Sequence, residues 1–389
     1  MRRTLAALVL VAPACALVPT LTAPAAAGGE TCLGQTPTIT GTDDDDVING
    51  TLLPDVVILG AGDDKFYGKD GNDVVCGGAG NDRIFGGPGD DRIDGGKGKD
   101  KLYGYLGDDE LRGGGGDDIL RGEADNDTLR GGGGRDVALE SAGDDLVTGG
   151  PGKDAVSYAE AEAAVTVNWA TGVVDGAGHD TIGNTERFVG SPFADTVNGS
   201  DKTDDLDGGG GADVVDGRGG DDLLRVSSGE AQGGPGNDIF IVRKTGVAVG
   251  GGGNDRFVMR GGTSRGGSGK DLFQVLTKGG GHADGGKSAD ILTFEKVKRG
   301  VKASLRGGKA TWGDRVVTIA SVEVMKGTRK ADVLEGTNNG DFLNGLGGND
   351  RLKGLGGNDL LLGGKGFDVG DGGAGGDVCV TESKPRCEA

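Results

Sequence analysis

Between Gly41 and Ser157 the chain divides into thirteen consecutive nine-residue units without insertion or deletion. The sixth residue of every unit is aspartate, from Asp46, Asp55 and Asp64 to Asp145 and Asp154. The eighth is apolar, from Ile48 and Val57 to Val147 and Val156. A fixed period of this kind restricts the chain to a stack of near-identical structural units. In the unit Gly77-Gly78-Ala79-Gly80-Asn81-Asp82-Arg83-Ile84-Phe85, glycines at the first, second and fourth places supply backbone with positive φ and hence a tight turn. The last three residues form a short strand whose middle side chain points inward. Two turns and two strands make an eighteen-residue coil, and successive coils stack as parallel strands about 4.8 Å apart. The expected fold is all-β: a parallel β-roll, a β-helix-like solenoid.

Stacking sets the aspartates of neighbouring coils in columns. Two such charges about 5 Å apart repel by roughly 1 kcal/mol in bulk water, and by several at an effective dielectric near 20. Few apolar side chains per coil are available to offset this, since aromatics are only 4% of the chain while glycine supplies 86 of 389 residues. A hard divalent cation resolves the conflict. Calcium takes about six to eight oxygen ligands in flexible geometry, and the turns offer carboxylates and carbonyls. Metal binding would then be part of folding.

These units resemble the RTX, or haemolysin-type, calcium-binding nonapeptide GGxGxDxUx. The resemblance implies a β-roll with calcium between turns one coil apart, the aspartate bridging successive ions and backbone carbonyls completing the shell. Carried onto this chain, it implies ligands at Asp64, Asp73, Asp82, Asp91, Asp100, Asp109, Asp118, Asp136 and Asp154 in the first block. In later units it implies Asp213, Asp222, Asp238, Asp255, Asp271, Asp350, Asp359, Asp368 and Asp377. The units starting at Leu59, Gly77, Gly95, Gly113, Gly131 and Gly149 keep glycine at the second and fourth places. Their edge should carry the stronger ion column, through Asp64 to Asp154. The opposite edge, through Asp73, Asp91, Asp109, Asp127 and Asp145, departs from the glycine pattern and should be weaker or gapped.

The remaining chain reads as segments around these arrays. Residues 1–27 read as a secretory signal, with Arg2-Arg3, an apolar run from Leu5 to Leu21 and an Ala25-Ala26-Ala27 cleavage site. An N-terminal cap and the first block occupy 28–157. The stretch 158–189 resembles a spacer found between RTX blocks, of the form VSYA…VTVNL…GT…IENV.GS. A second copy occupies 294–326. Both read as coils that bury apolar side chains instead of binding metal. A second block fills 190–293, one-edged in its later part, where single units carry Asp238, Asp255, Asp271 and Asp290. A third block fills 327–380, and 381–389 form a C-terminal cap. An even number of cysteines in an exported chain reads as disulfides, with Cys32 paired to Cys76 and Cys379 to Cys387 as staples at the two ends. The exported, cysteine-containing pattern differs from the many RTX proteins that leave by an uncleaved C-terminal signal.

The net charge of −20 speaks against nucleic acid and anionic membrane surfaces as partners. No mature segment is long and apolar enough to span a bilayer. His179 and His282 are expected in glycine-rich turns, exposed to solvent, without HExxH or a nucleophile elbow. Adjacent carboxylates such as Asp63-Asp64 recur as turn residues and not as an acid/base pair. One surface strip repeats at spacing eighteen: Tyr67, Phe85 and Tyr103 beside Lys65, Arg83 and Lys101. It reads as a cross-strand aromatic ladder or as a binding strip for an acidic extracellular or wall polysaccharide. The expected function is that of a secreted, non-enzymatic, multiple-calcium protein with a structural or adhesive role. The alternative is a calcium-dependent enzyme acting on polysaccharide through the non-nonapeptide coils.

Overall fold

The computed structural model describes residues 31–140 and 142–386, and every helix-or-strand element among them is a strand. The strands alternate between two sheets of 23 and 18 strands. In the smaller sheet the pairings run in single file: Lys65–Tyr67 lies beside Arg83–Pro88, which lies beside Lys101–Leu106. In the larger sheet Val74–Ala79 pairs with Arg92–Lys97 and then Glu110–Gly115. All these pairs are parallel and offset by eighteen residues, so the nonapeptide period is the register of the sheets.

Each coil contributes few side chains to the core, and they repeat. Phe66, Ile84, Leu102 and Leu120 point inward from the smaller sheet, and Val57, Val75, Ile93 and Leu111 from the larger one; all are buried. From Asp222 to Asp271 the coils shorten to sixteen or seventeen residues, as the links from Asp222 to Asp238, Asp255 and Asp271 show, and the next, to Asp290, takes nineteen. Here one edge loses its nonapeptide. Val226, Val242, Met259 and Val275 follow the smaller-sheet strands at the position that first glycines hold elsewhere, and all four are buried. An apolar row replaces the carboxylates on that edge. Phe240, Phe257 and Phe273 stack through the same coils with centroids 4.8 Å apart. Opposite them the larger sheet turns in only Ala231, Ala248 and Ser264, so large faces small.

The spacers differ from simple coils. In the first, Thr166–Asn168, Val173–Asp175 and His179–Gly183 form a three-stranded antiparallel unit inserted into the larger sheet. Its last strand pairs with Leu146–Thr148 before it and its first with Thr196–Asn198 after it, both parallel. Lys302–Ser304, Lys309–Trp312 and Arg315–Ala320 repeat this arrangement in the second spacer. In the smaller sheet each spacer supplies one parallel strand, Arg187–Val189 or Val324–Lys326. Alternating apolar residues fit parallel and antiparallel strands equally, which is why the reversal was not visible in the pattern. Tyr158, Phe188, Phe294 and Trp312 are buried here, and Trp169 packs on Phe188.

Cys32 and Cys76 form a disulfide with Cα atoms 5.6 Å apart, which ties the N-terminal cap to the end of the second nonapeptide coil. Cys379 is also disulfide-bonded. Cys387 and the segment 1–27 lie outside the described residues. No helix among the described residues is long and apolar enough to cross a membrane.

Candidate metal centre

The second and fourth glycines bring neighbouring coils into contact. Gly78 and Gly80 have φ of 107° and 135°, and a methyl on either would collide with the carbonyl oxygen of Gly60 or Gly62 one coil back. On the second edge other residues take the same left-handed backbone, among them Lys69, Tyr105 and Glu123 with φ between 78° and 90°. Each costs on the order of 1–2 kcal/mol. The departures from glycine on the second edge therefore strain the turn without abolishing it.

The aspartates link coil to coil. The backbone N–H of Asp64 donates to Asp82 Oδ1 at 2.9 Å, that of Asp82 to Asp100 at 2.8 Å and that of Asp100 to Asp118 at 2.8 Å. On the other edge Asp73 donates to Asp91, and Asp91 to Asp109, each at 2.7 Å. This uses one carboxylate oxygen. The other, Oδ2, is buried without a hydrogen-bond partner in eighteen aspartates. Seventeen of these are ligands implied by the nonapeptide; Asp290 joins them and Asp377 does not. In all but Asp64, whose unit begins with Leu59, the orphaned oxygen faces its unit's first glycine. A methyl on Gly95 would lie 2.6 Å from Asp100 Oδ2 and 2.8 Å from the Gly113 carbonyl oxygen; on Gly131 the distances are 2.5 Å to Asp136 Oδ2 and 2.7 Å to Gly149 O. The missing side chain thus leaves an atom-sized cradle walled by carboxylate and carbonyl oxygens. A buried, unpartnered anion costs several kcal/mol unless a cation meets it, and the donor set is all hard oxygen, as calcium requires. Among the described residues no three His, Cys, Asp or Glu side chains converge on one point. Backbone carbonyls must therefore supply much of any shell.

Burial, above all, raises the carboxyls: Asp82 to about 6, Asp91 to about 7 and Asp109 to about 8, with aspartates one coil away adding to the shift. A bound divalent ion reverses this balance in favour of the carboxylate.

Not every unit leaves an orphan. Each block opens with units whose second residue is Ser or Thr. Thr42 Oγ1 donates to Asp46 Oδ2 at 2.9 Å, Ser191 Oγ to Asp195 Oδ1 at 2.6 Å and Thr337 Oγ1 to Asp341 Oδ2 at 2.9 Å. Ser200 and Thr328 do the same for Asp204 and Asp332. These aspartates are satisfied by the chain itself. The signal, Gly-Ser or Gly-Thr five and four residues before the aspartate, is plain in the sequence and went unread there.

The first carboxylate column is present in all three blocks and reaches into both spacers. It runs through Asp64 to Asp154, passes the spacer at Glu186 and resumes at Asp204. It continues through Asp222, Asp238, Asp255, Asp271 and Asp290 to Glu323, and then from Asp341 through Asp359 to Asp377. The second column comes in pieces. It reaches Asp145 and then Asp180, restarts at Asp195 and Asp213, and returns at Asp332, Asp350 and Asp368.

The surface strip is a stack. Tyr67 and Phe85 lie 5.1 Å apart at 7°, and Phe85 and Tyr103 4.8 Å apart at 18°. Lys65, Arg83 and Lys101 stand in register beside them. The facing ring surfaces cover one another, which leaves only the edges and the ends of the stack for a sugar. His179 and His282 sit on strands and not in turns, with ring nitrogens bonded to Asp175 at 2.6 Å and Thr318 at 2.8 Å.

A family model described as RTX calcium-binding nonapeptide repeat (4 copies) matches residues 38–75, 69–102, 77–111, 103–138, 141–159, 189–224, 322–352, 335–370 and 345–379, together more than half of the chain. Among solved structures the chain is similar to a hyperactive, Ca2+-dependent, β-helical antifreeze protein from an Antarctic bacterium. The two share 20% identity over 80% of this chain and 84% of that one, with a TM-score of 0.17. No curated protein matches the chain.

Proposed function

Because this chain belongs to the RTX calcium-binding nonapeptide repeat family, we propose that it is an exported scaffold whose coils fold or stiffen on binding several calcium ions. Its role is structural or adhesive, at a cell surface or in an extracellular matrix, and not catalytic. The observation that carries the reading is the set of eighteen buried, unpartnered aspartate oxygens, seventeen of which face glycine cradles. Calcium, when bound, supplies positive charge and coordination to these oxygens. The chain's part is to hold them: Oδ1 is fixed by the N–H one coil back, and the glycine carbonyl of the next coil is brought alongside Oδ2. Export is supported by the Arg2-Arg3 and Ala25-Ala26-Ala27 pattern, and by a disulfide of the kind that persists in oxidising compartments.

The test is circular dichroism and hydrodynamic radius of the full chain at neutral pH, in chelator and then in millimolar calcium. The expected result is an expanded chain poor in β-structure that becomes compact on calcium addition. A compact, fully β-structured chain in excess chelator would sink the proposal.

A further inference from the structure

The spacers interrupt the nonapeptides, yet the first carboxylate column reaches into each of them. Where that column meets the first spacer, the Asp154 N–H donates to Glu186 Oε2 at 2.7 Å; at the second, the Asp290 N–H donates to Glu323 Oε2 at 2.9 Å. Asp154 and Asp290 are 1% and 0% exposed, and the Oδ2 of each has no partner. The cradle is there too. A methyl on Gly149 would lie 2.8 Å from Asp154 Oδ2 and collide with the Asn184 carbonyl oxygen, and one on Gly285 would collide with Asp290 Oδ2 and the Ser321 carbonyl oxygen.

Asn184 and Ser321 therefore do for the spacer what the first glycine does for a nonapeptide. Both adopt left-handed backbone, each with φ of 49°. In a nonapeptide the aspartate follows that glycine by five residues, as Asp154 follows Gly149; in the spacers the carboxylate follows after two. The turn is shorter, and glutamate's extra methylene restores the reach of the carboxylate to the same N–H. Where the second column meets the first spacer, the chain ends differently. Asp180 Oδ2 accepts the Tyr158 hydroxyl at 2.6 Å, and Asp145 is hydrogen-bonded to the buried Glu140. There Asp180 is met by a hydroxyl of the chain itself; on the first column Asp154 and Asp290 are not.

We propose that Glu186 and Glu323 each complete a calcium site outside the nonapeptide formula. One ion is held by Asp154, the Asn184 carbonyl and Glu186, and another by Asp290, the Ser321 carbonyl and Glu323. The spacers thus close ion columns as well as filling the core. The inference rests on the calcium reading above.

Two measurements on the full chain test it: an anomalous-difference map of calcium-loaded crystals of the native chain, and radiocalcium titration of the native chain beside Glu186→Gln, Glu323→Gln and the double variant. Glutamine keeps the acceptor for the aspartate N–H but removes the charge. The expected map has an ion beside Asp154 and Glu186 and another beside Asp290 and Glu323. Each substitution should cost one ion, or weaken one at least about tenfold, while the remaining ions and the β-content stay as in the native chain. Folded variants that bind the full complement at native affinity overturn the proposal. So does a map with ions among the nonapeptides and none at the two junctions, whether or not the variants fold. A native chain that takes up no calcium fails the calcium reading itself and this inference with it.

Discussion

Asp109 is 2% exposed, accepts the Asp91 N–H through Oδ1 and keeps its other oxygen within a glycine cradle. Burial and neighbouring carboxylates lift it to about 8, with Asp91 at about 7 and Asp82 at about 6, against an ordinary 3.8. The sign of the consequence follows. In the ion-free chain the folded state holds protons that the unfolded state has released, so this contribution to stability is complete below about pH 4 and is lost as pH rises through 6 to 8. Calcium needs the deprotonated form, so its apparent affinity should fall as pH drops through the same window. Chelated chain followed by circular dichroism should gain β-structure between pH 8 and 5, and the calcium midpoint should move to higher concentration. A calcium midpoint and a chelated-state spectrum both flat across that range would contradict the assignment of these aspartates.

At the scale of the coil, two devices hold the stack where ions do not. One is the hydroxyl-bonded opening turn, as in Ser191 with Asp195. The other is the apolar edge from Val226 to Val275, backed by stacked Phe240, Phe257 and Phe273. Phe257→Ala should lower unfolding stability in saturating calcium by about 3–5 kcal/mol, because a close-packed core collapses little around the cavity. Phe85→Ala, in the surface ladder, should cost only about 0.5–1.5 kcal/mol. Urea unfolding of both variants checks this, and equal losses would mean that the phenylalanine stack is not the core of these coils.

For the molecule as a whole, the period of nine made the coil, its register and its inward residues readable before any coordinates, because one aspartate and one apolar residue recur without slippage from Asp46 to Val156. The turn chemistry was readable only in part. Departures from glycine on the second edge, as at Tyr105 and Glu123, pointed to a weaker ion column, yet the left-handed backbone is kept there all the same. The glutamates at 186 and 323 were hidden because their turns are three residues shorter than the repeat. The antiparallel insertions were hidden because strand direction leaves no trace in an alternating pattern.

Those insertions have a geometric result. From Leu146–Thr148 to Thr196–Asn198 the larger sheet crosses four strand spacings, while from Ala155–Ser157 to Asp205–Asp207 the smaller sheet crosses two. At about 4.8 Å per spacing, one side of the rod is longer by roughly 10 Å at each spacer, a wedge filled by Tyr158, Phe188 and Trp169 in one case and Phe294 and Trp312 in the other. The axis should therefore curve twice toward the smaller sheet, and small-angle scattering from the calcium-loaded chain should fit an arc and not a straight cylinder. Such an arc would give a filament of identical rungs a concave and a convex flank, set by where the spacers fall along the chain.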